Sequence, residues 1–193
     1  MRVTHLTAAD YKIMPWKNGG GTTTEIMVEP NGAATGYDWR LSIADVAQSG
    51  PFSDFTGYDR AIMLVEGAGF TLTFDQAPAQ SLSRCFDPVR FDGGWQTDCT
   101  LIDGPVRDFN LIVRQGTPAL LEMHRLVPGA EPLAAAALMI LHLFHGQVSA
   151  CGRHLAAGET LRIDGAKSAI EVTAMRPSVM AVIRIGNAGV PGV

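Results

Sequence analysis

The stretch Thr22-Thr-Thr-Glu-Ile-Met-Val-Glu29, followed by Trp39-Arg-Leu-Ser-Ile-Ala-Asp-Val46, decides the fold class. In the first run Thr22, Thr24, Ile26 and Val28 oppose Thr23, Glu25, Met27 and Glu29. In the second, Arg40 and Ser42 oppose Trp39, Leu41 and Ile43. A period of two belongs to β-strands, whose successive side chains point to opposite faces. Further short runs rich in Val, Ile, Leu, Phe and Thr follow at 61–66, 70–74, 111–114, 159–163, 169–172 and 180–185, separated by Gly, Pro and Asp. Many short strands at such spacing predict an all-β sandwich or barrel. Only Leu133–Leu141 stays open between helix and strand, because its alanines favour one and its short length allows the other.

Composition narrows the class further. The chain has 193 residues, 47% apolar and 18% charged, enough apolar side chain for a packed core and no case for disorder. Fifteen basic against 19 acidic residues give a net charge of -4, so a nucleic acid is not an expected partner. Cys85, Cys99 and Cys151 form no CxxC pair, which points away from a disulfide scaffold and towards a reducing cytoplasm. The apolar run Leu133–Leu141 is about half of a bilayer span, so no membrane is expected either.

An internal echo suggests how the strands are organised. Arg90-Phe-Asp-Gly93 followed by Phe109-Asn-Leu-Ile-Val-Arg-Gln-Gly116 returns as Arg162-Ile-Asp-Gly165 followed by Val179-Met-Ala-Val-Ile-Arg-Ile-Gly186. Gly67 and Gly146 close equivalent apolar runs before them. The expected architecture is two small antiparallel β-barrels, or jelly rolls, in one compact body. Residues 1–116 would form the first and 117–186 the second, with 187–193 as a flexible tail.

Three segments carry candidate chemistry. In Trp16-Lys-Asn-Gly-Gly-Gly21, the backbone N–H groups of Gly19 and Gly20 could converge on an anion, with charge from Lys17 and an amide from Asn18. A plain turn leading into Thr22 is the other reading. Arg40, on a strand face with Ser42, could fork onto a carboxylate inside a barrel or sit on a wet outer face. Asp108 and Asn110 share one face of the strand after Pro105, either inward beside Arg40 or outward in water. Arg60 and Arg107 are weaker candidates, suited to surface ion pairs worth ~0–1 kcal/mol. No Gly-x-Ser-x-Gly is present, so nucleophilic catalysis has no recognisable seat.

Read together, Pro15-Trp-Lys-Asn-Gly-Gly-Gly-Thr-Thr-Thr-Glu-Ile26, Trp39–Val46 with Ser49-Gly-Pro-Phe-Ser53, and Gly104-Pro-Val-Arg-Asp-Phe-Asn-Leu-Ile-Val-Arg114 resemble the HutD/Ves family of cupin-like proteins. The resemblance is close over roughly residues 1–116, with Thr56 standing where the family is expected to carry Pro. It implies an RmlC-like bicupin fold and a cytoplasmic role in histidine utilisation. It also implies binding of a small carboxylate such as N-formylglutamate. Many cupins hold a metal through His-x-His, and that spacing is absent here; Glu122 with His124, and His142 with His145, do not replace it. Phe52, Phe55 and Tyr58 stand where such histidines would lie.

The resulting expectation is a metal-free protein without cofactor, more a small-molecule binder than an enzyme, with exposed sheet edges that would suit a homodimer. Its ligand, a small anionic metabolite, would meet Trp16, Lys17, Asn18, Gly19, Gly20, Arg40, Ser42, Arg60, Asp108 and Asn110. The alternatives are an enzyme acting on such a carboxylate with Asp108 as acid/base, and an interaction module with no ligand.

Overall fold

The computed structural model describes residues 1–32 and 36–186. The tail expected at 187–193 lies outside the described residues. Within them the chain is nineteen strands and one 3-10 turn at Ala8–Asp10. The strands of the first half are β1 (Arg2–Leu6), β2 (Lys12–Pro15), β3 (Gly21–Pro30), β4 (Tyr37–Val46), β5 (Gly50–Pro51), β6 (Tyr58–Glu66), β7 (Phe70–Phe74), β8 (Gln80–Leu82), β9 (Val89–Asp92), β10 (Thr97–Leu101) and β11 (Val106–Arg114). Those of the second are β12 (Ala119–Leu126), β13 (Gly129–Leu133), β14 (Leu138–His145), β15 (Gln147–Ala150), β16 (Arg153–Ala156), β17 (Thr160–Asp164), β18 (Ile170–Ala174) and β19 (Ser178–Ile185). The ambiguous run Leu133–Leu141 is thus the end of one strand and the start of another.

Two units result. The N-terminal barrel, Lys12–Gly116, joins a six-stranded sheet ordered β2-β3-β4-β11-β6-β9 to a four-stranded sheet ordered β5-β10-β7-β8. Its core lies between them, with Ile62, Leu64, Phe91 and Val106 from the large sheet meeting Phe70, Leu72, Leu82 and Cys99 from the small one. The C-terminal barrel repeats the plan with β1-β17-β14-β19-β12 and β13-β18-β15-β16. Met139, Leu141, Leu143, Leu161, Ile163, Met180 and Val182 fill it against Leu133, Val148, Leu155 and Val172.

One expected boundary is corrected. Residues 1–11 do not belong to the first barrel: β1 pairs antiparallel with β17, placing Val3 opposite Ile163. Tyr11 fastens this segment within the same unit, donating from its hydroxyl to the Gly158 carbonyl at 2.8 Å and meeting Thr160 Oγ1 at 2.8 Å. His5 Nε2 adds a 2.9 Å contact to Glu159.

The sequence echo is a structural one. β4-β11-β6-β9 and β12-β19-β14-β17 run in the same order. Each central pair carries the same register shift, between Arg107 and Asp108 in one barrel and between Leu143 and His145 in the other. The glycines after β6 and β14 explain themselves by contact. Gly67 has φ +104, and a Cβ there would come within 2.7 Å of the Pro105 carbonyl; at Gly146, with φ +97, it would meet Ser178 Oγ. A side chain would push β11 or β19 off its neighbour, and the positive φ excludes most residues on its own.

Candidate functional site

The hollow of the N-terminal barrel is walled by β4, β11 and β6, and register sets its residues in three rows. Arg40, Ile112 and Arg60 form the first; Ser42, Asn110 and Ile62 the second; Ala44, Asp108 and Leu64 the third. Alternation along each strand sends all of these to one face. The cavity encloses about 490 Å³, with Trp16, Lys17 and Asn18 at one side and Phe52, Ser53 and Phe55 at another. Of the ten residues expected to meet a ligand, Trp16, Lys17, Asn18, Arg40, Ser42, Arg60, Asp108 and Asn110 line it. The inward reading of Asp108 and Asn110 holds, since they are 1% and 7% exposed.

Gly19 and Gly20 are the two expected residues that do not line the cavity. Their N–H groups serve the turn between β2 and β3: Gly19 donates to the Trp16 carbonyl at 3.1 Å and Gly20 to Asn18 Oδ1 at 3.0 Å. The glycine run is a tight turn, because three small residues let Trp16 fold back over Gly21. A Cβ at Gly21 would lie 3.2 Å from the Trp16 ring and 2.4 Å from the Asp45 carbonyl. The indole then donates to Thr23 Oγ1 at 2.8 Å, fixing the wall on that side.

Arg40 is anchored by a residue that the sequence reading did not single out. Its Nε donates to Glu25 Oε2 at 2.8 Å, across the β3–β4 pair. Glu25, and not Asp108 or Asn110, is the residue that the structure sets against Arg40. Glu25 shares its face with Thr23, opposite Ser42, before a bulge at Ile26 shifts the strand's alternation. That alternation, carried from Thr23 to Glu25, was the available signal.

Arg60 is no surface cation. It is 3% exposed, and its guanidinium carbon lies 5.3, 5.1 and 5.0 Å from the ring centroids of Phe52, Phe55 and Phe91. Desolvating a guanidinium costs several kcal/mol, and each desolvated cation–π contact returns up to about 2 kcal/mol. Three rings are thus of the right order to keep the charge buried without a full ion pair. Phe55 is placed by its N–H to the Gly93 carbonyl at 2.9 Å. Beside it Asp54 Oδ1 accepts from the N–H and the hydroxyl of Thr56, both at 2.7 Å, so Thr56 closes the turn by hydrogen bonding. Tyr58 donates to the Tyr37 carbonyl at 3.0 Å.

Hydrogen-bond accounting points into the same hollow. Among the described residues the buried side-chain atoms without a partner are Tyr37 Oη, Arg60 Nε, Asp108 Oδ1 and Asn110 Oδ1. Three of these four belong to cavity residues. Buried polar atoms are nearly always satisfied, so orphans gathered in one cavity mark where a ligand's atoms fit. Burial pushes the Asp108 carboxyl up to about 7, with the Arg60 charge opposing and Asp45 reinforcing the shift. Burial pulls the Arg60 guanidinium down to about 10, which leaves it charged at neutral pH.

The second barrel shows the same wall with apolar side chains at the matching positions. Through the shared register shift, Asp108 corresponds to Met180, Asn110 to Val182 and Arg60 to Met139. All three apolar replacements are fully buried. Its polar residues pair among themselves: Arg184 with Glu122, His124 with Glu131 at 2.9 Å, and His142 Nδ1 with Thr160 Oγ1 at 2.8 Å. Among the described residues no group of three or more His, Cys, Asp or Glu comes together as a metal site, and no helix is long and apolar enough to cross a membrane.

Two jelly-roll units of the same strand plan define a bicupin. The bacterial pirin YhhW from Escherichia coli shares this fold with a TM-score of 0.74 over 97% of this chain and 100% of its own, at 10% identity. The chain belongs to the HutD family, whose profile matches residues 8–181. A 21.2 kDa Pseudomonas putida protein from the hutC 3′ region is 40% identical over 83% of this chain and 86% of its own length. The structure of HutD from Pseudomonas fluorescens SBW25, described as a formate condition, is 35% identical with a TM-score of 0.83, covering 97% of this chain and all of that one. The family match thus extends well beyond the first barrel.

Proposed function

We propose that the N-terminal barrel is a receptor for a small carboxylate, and that its ligand is an intermediate of histidine degradation such as N-formylglutamate. The observation that carries this reading is Arg60, a buried cation with a free Nε facing a cavity whose opposite strand presents Arg40. A carboxylate between them accepts from both guanidiniums, the geometry for which arginine is suited. Lys17 adds positive charge at the side of the hollow, and the phenyl rings of Phe52 and Phe55 exclude water from the bond. The formate condition of the related HutD and the hut-region origin of the Pseudomonas putida relative support the choice of ligand class. In this reading the protein holds a metabolite for an accessory or regulatory purpose and needs no metal.

Thermal unfolding with increasing formate, N-formylglutamate or urocanate tests the proposal. A saturable rise in melting temperature is expected, growing as RT ln(1 + [L]/Kd), and unaffected by a chelator. No saturable rise with any of them would remove the receptor reading.

A second reading has its own observation. A carboxyl titrating at about 7 is poised for proton transfer near neutral pH. Asp108 would then act as acid/base on the same bound carboxylate, with Arg40 and Arg60 stabilising developing charge. Consumption of N-formylglutamate in step with protein concentration, lost in Asp108→Asn, would favour the enzyme over the receptor.

A further inference from the structure

We propose that Asp108 takes up a proton when an anion enters the hollow and meets it as a neutral carboxyl. The inference rests on the receptor reading and goes beyond it, because it assigns the third row of the wall a chemical state.

The argument begins with hydrogen-bond inventory. Asp108 Oδ1 and Asn110 Oδ1 are neighbouring acceptors on one face of β11, both buried and both without a donor. A carboxylate group brings acceptors only, so the arrival of a bare carboxylate such as formate supplies neither of them with a hydrogen. A proton on Asp108 does: the acid hydroxyl can donate to the ligand or to Asn110. Arg60 does not resolve the shortage from the protein side. Its backbone sits two rows away, opposite Ile112, whereas Asp108 sits opposite Leu64; the Arg60 charge is felt at Asp108, yet Asp108 Oδ1 is left without a donor. The free Nε of Arg60 is available to the anion instead.

Charge leads to the same result. The groups around Asp108 are Arg60 from β6, Arg40 and Asp45 from β4, Glu25 from β3, Lys17 from the β2–β3 turn and the Cys99 thiol from β10. Glu25 already neutralises Arg40, and Asp45 lies against Arg107 at 2.8 Å. A second negative charge in this low-dielectric space repels an ionised Asp108, and protonation removes the repulsion. No histidine lines the cavity, so no imidazole competes as the proton acceptor. The second barrel fits the same logic. Met180 holds the corresponding position with no charge at all.

Calorimetric titration of formate into the full chain at pH 8, in two buffers of different ionisation enthalpy, reads the proton directly. Close to one proton is expected per formate bound, with affinity about tenfold weaker at pH 8 than at pH 6. In Asp108→Asn the proton uptake vanishes and the ratio of the two affinities falls to about one. Formate binding by the wild-type protein with no proton uptake and equal affinity at both pH values overturns the proposal, and so does uptake that persists in Asp108→Asn. The wild-type comparison stands alone if the variant does not fold. Failure of the wild-type protein to bind formate at pH 6 is a different result: it removes the receptor reading, and this inference with it.

Discussion

Arg40 and Arg60 stand in one row of the sheet, on either side of Ile112, and are held in opposite ways. Arg40 is tied by an ion pair to Glu25, whereas Arg60 rests among the rings of Phe52, Phe55 and Phe91 with its Nε free. One cation is fixed by charge and the other by π density. Their consequences on substitution therefore differ.

Arg60→Met keeps an unbranched side chain among the same three rings and removes a buried charge. Replacing buried charge with apolar volume is often neutral or stabilising. The variant is expected to melt no lower than the wild type and to lose the stabilisation by formate. A melting curve with and without formate checks both. A variant still stabilised by formate would take Arg60 out of the site.

Glu25→Gln breaks the other arrangement. The pair is mostly buried, so its loss is expected to destabilise the ligand-free protein by about 1–2 kcal/mol, between the surface and interior limits. The released Arg40 charge should tighten formate binding by severalfold. Urea unfolding measures the first effect and calorimetry the second; weaker formate binding would show that Glu25 aligns Arg40 instead of restraining its charge.

Gly67→Ala and Gly146→Ala each force a Cβ against the start of β11 or of β19 and onto a left-handed φ. A loss of about 2–4 kcal/mol is expected for each, from strain plus the displaced neighbour. Gly50→Ala is the control. Nothing lies within 4 Å of its Cβ position and its φ is not positive, so a change within about 0.5 kcal/mol is expected. Denaturant midpoints distinguish them.

Acid stability should show two opposed titrations. Burial holds the His142 imidazole down to about 3, below its ordinary 6.5. The unfolded chain therefore binds the extra proton as pH falls below 6.5, and His142 removes stability down to about pH 3. Asp108 acts with the opposite sign. Its folded carboxyl titrates at about 7 against an ordinary 3.8, so the folded state binds the extra proton between those values and loses stability as pH rises through them. Asp108→Asn should consequently gain more stability than the wild type between pH 4.5 and 7. Unfolding free energies across that range test it, and parallel profiles would contradict it.

The barrels were largely legible because antiparallel strands write their burial as a period of two. Phe70–Phe74 is bounded as expected, and the Arg-x-Asp-Gly echo marks β9 and β17 at matching places in the two sheets. Two features were not legible, each for a physical reason. The stacking of Arg60 joins Phe52 and Phe55 to Phe91, which only the β6–β9 pairing brings near. The partner of β1 lies at the far end of the chain, and local pattern carries no information about which distant edge a strand will choose. The glycine turn was misplaced in function, since the sequence shows conformational freedom but not that Trp16 and Asn18 use up its N–H groups.

The docking of β1 on β17 also bears on how the protein is made. A ribosome releases β1 ahead of the whole N-terminal barrel and its hydrogen-bonding partner β17 only after that barrel. The N-terminal barrel can fold in the interval, while its own leading segment stays unsatisfied. Closing that sheet is then a late, long-range event of the kind that slows folding. Any tag or fusion placed ahead of Met1 rides on the last strand to be secured.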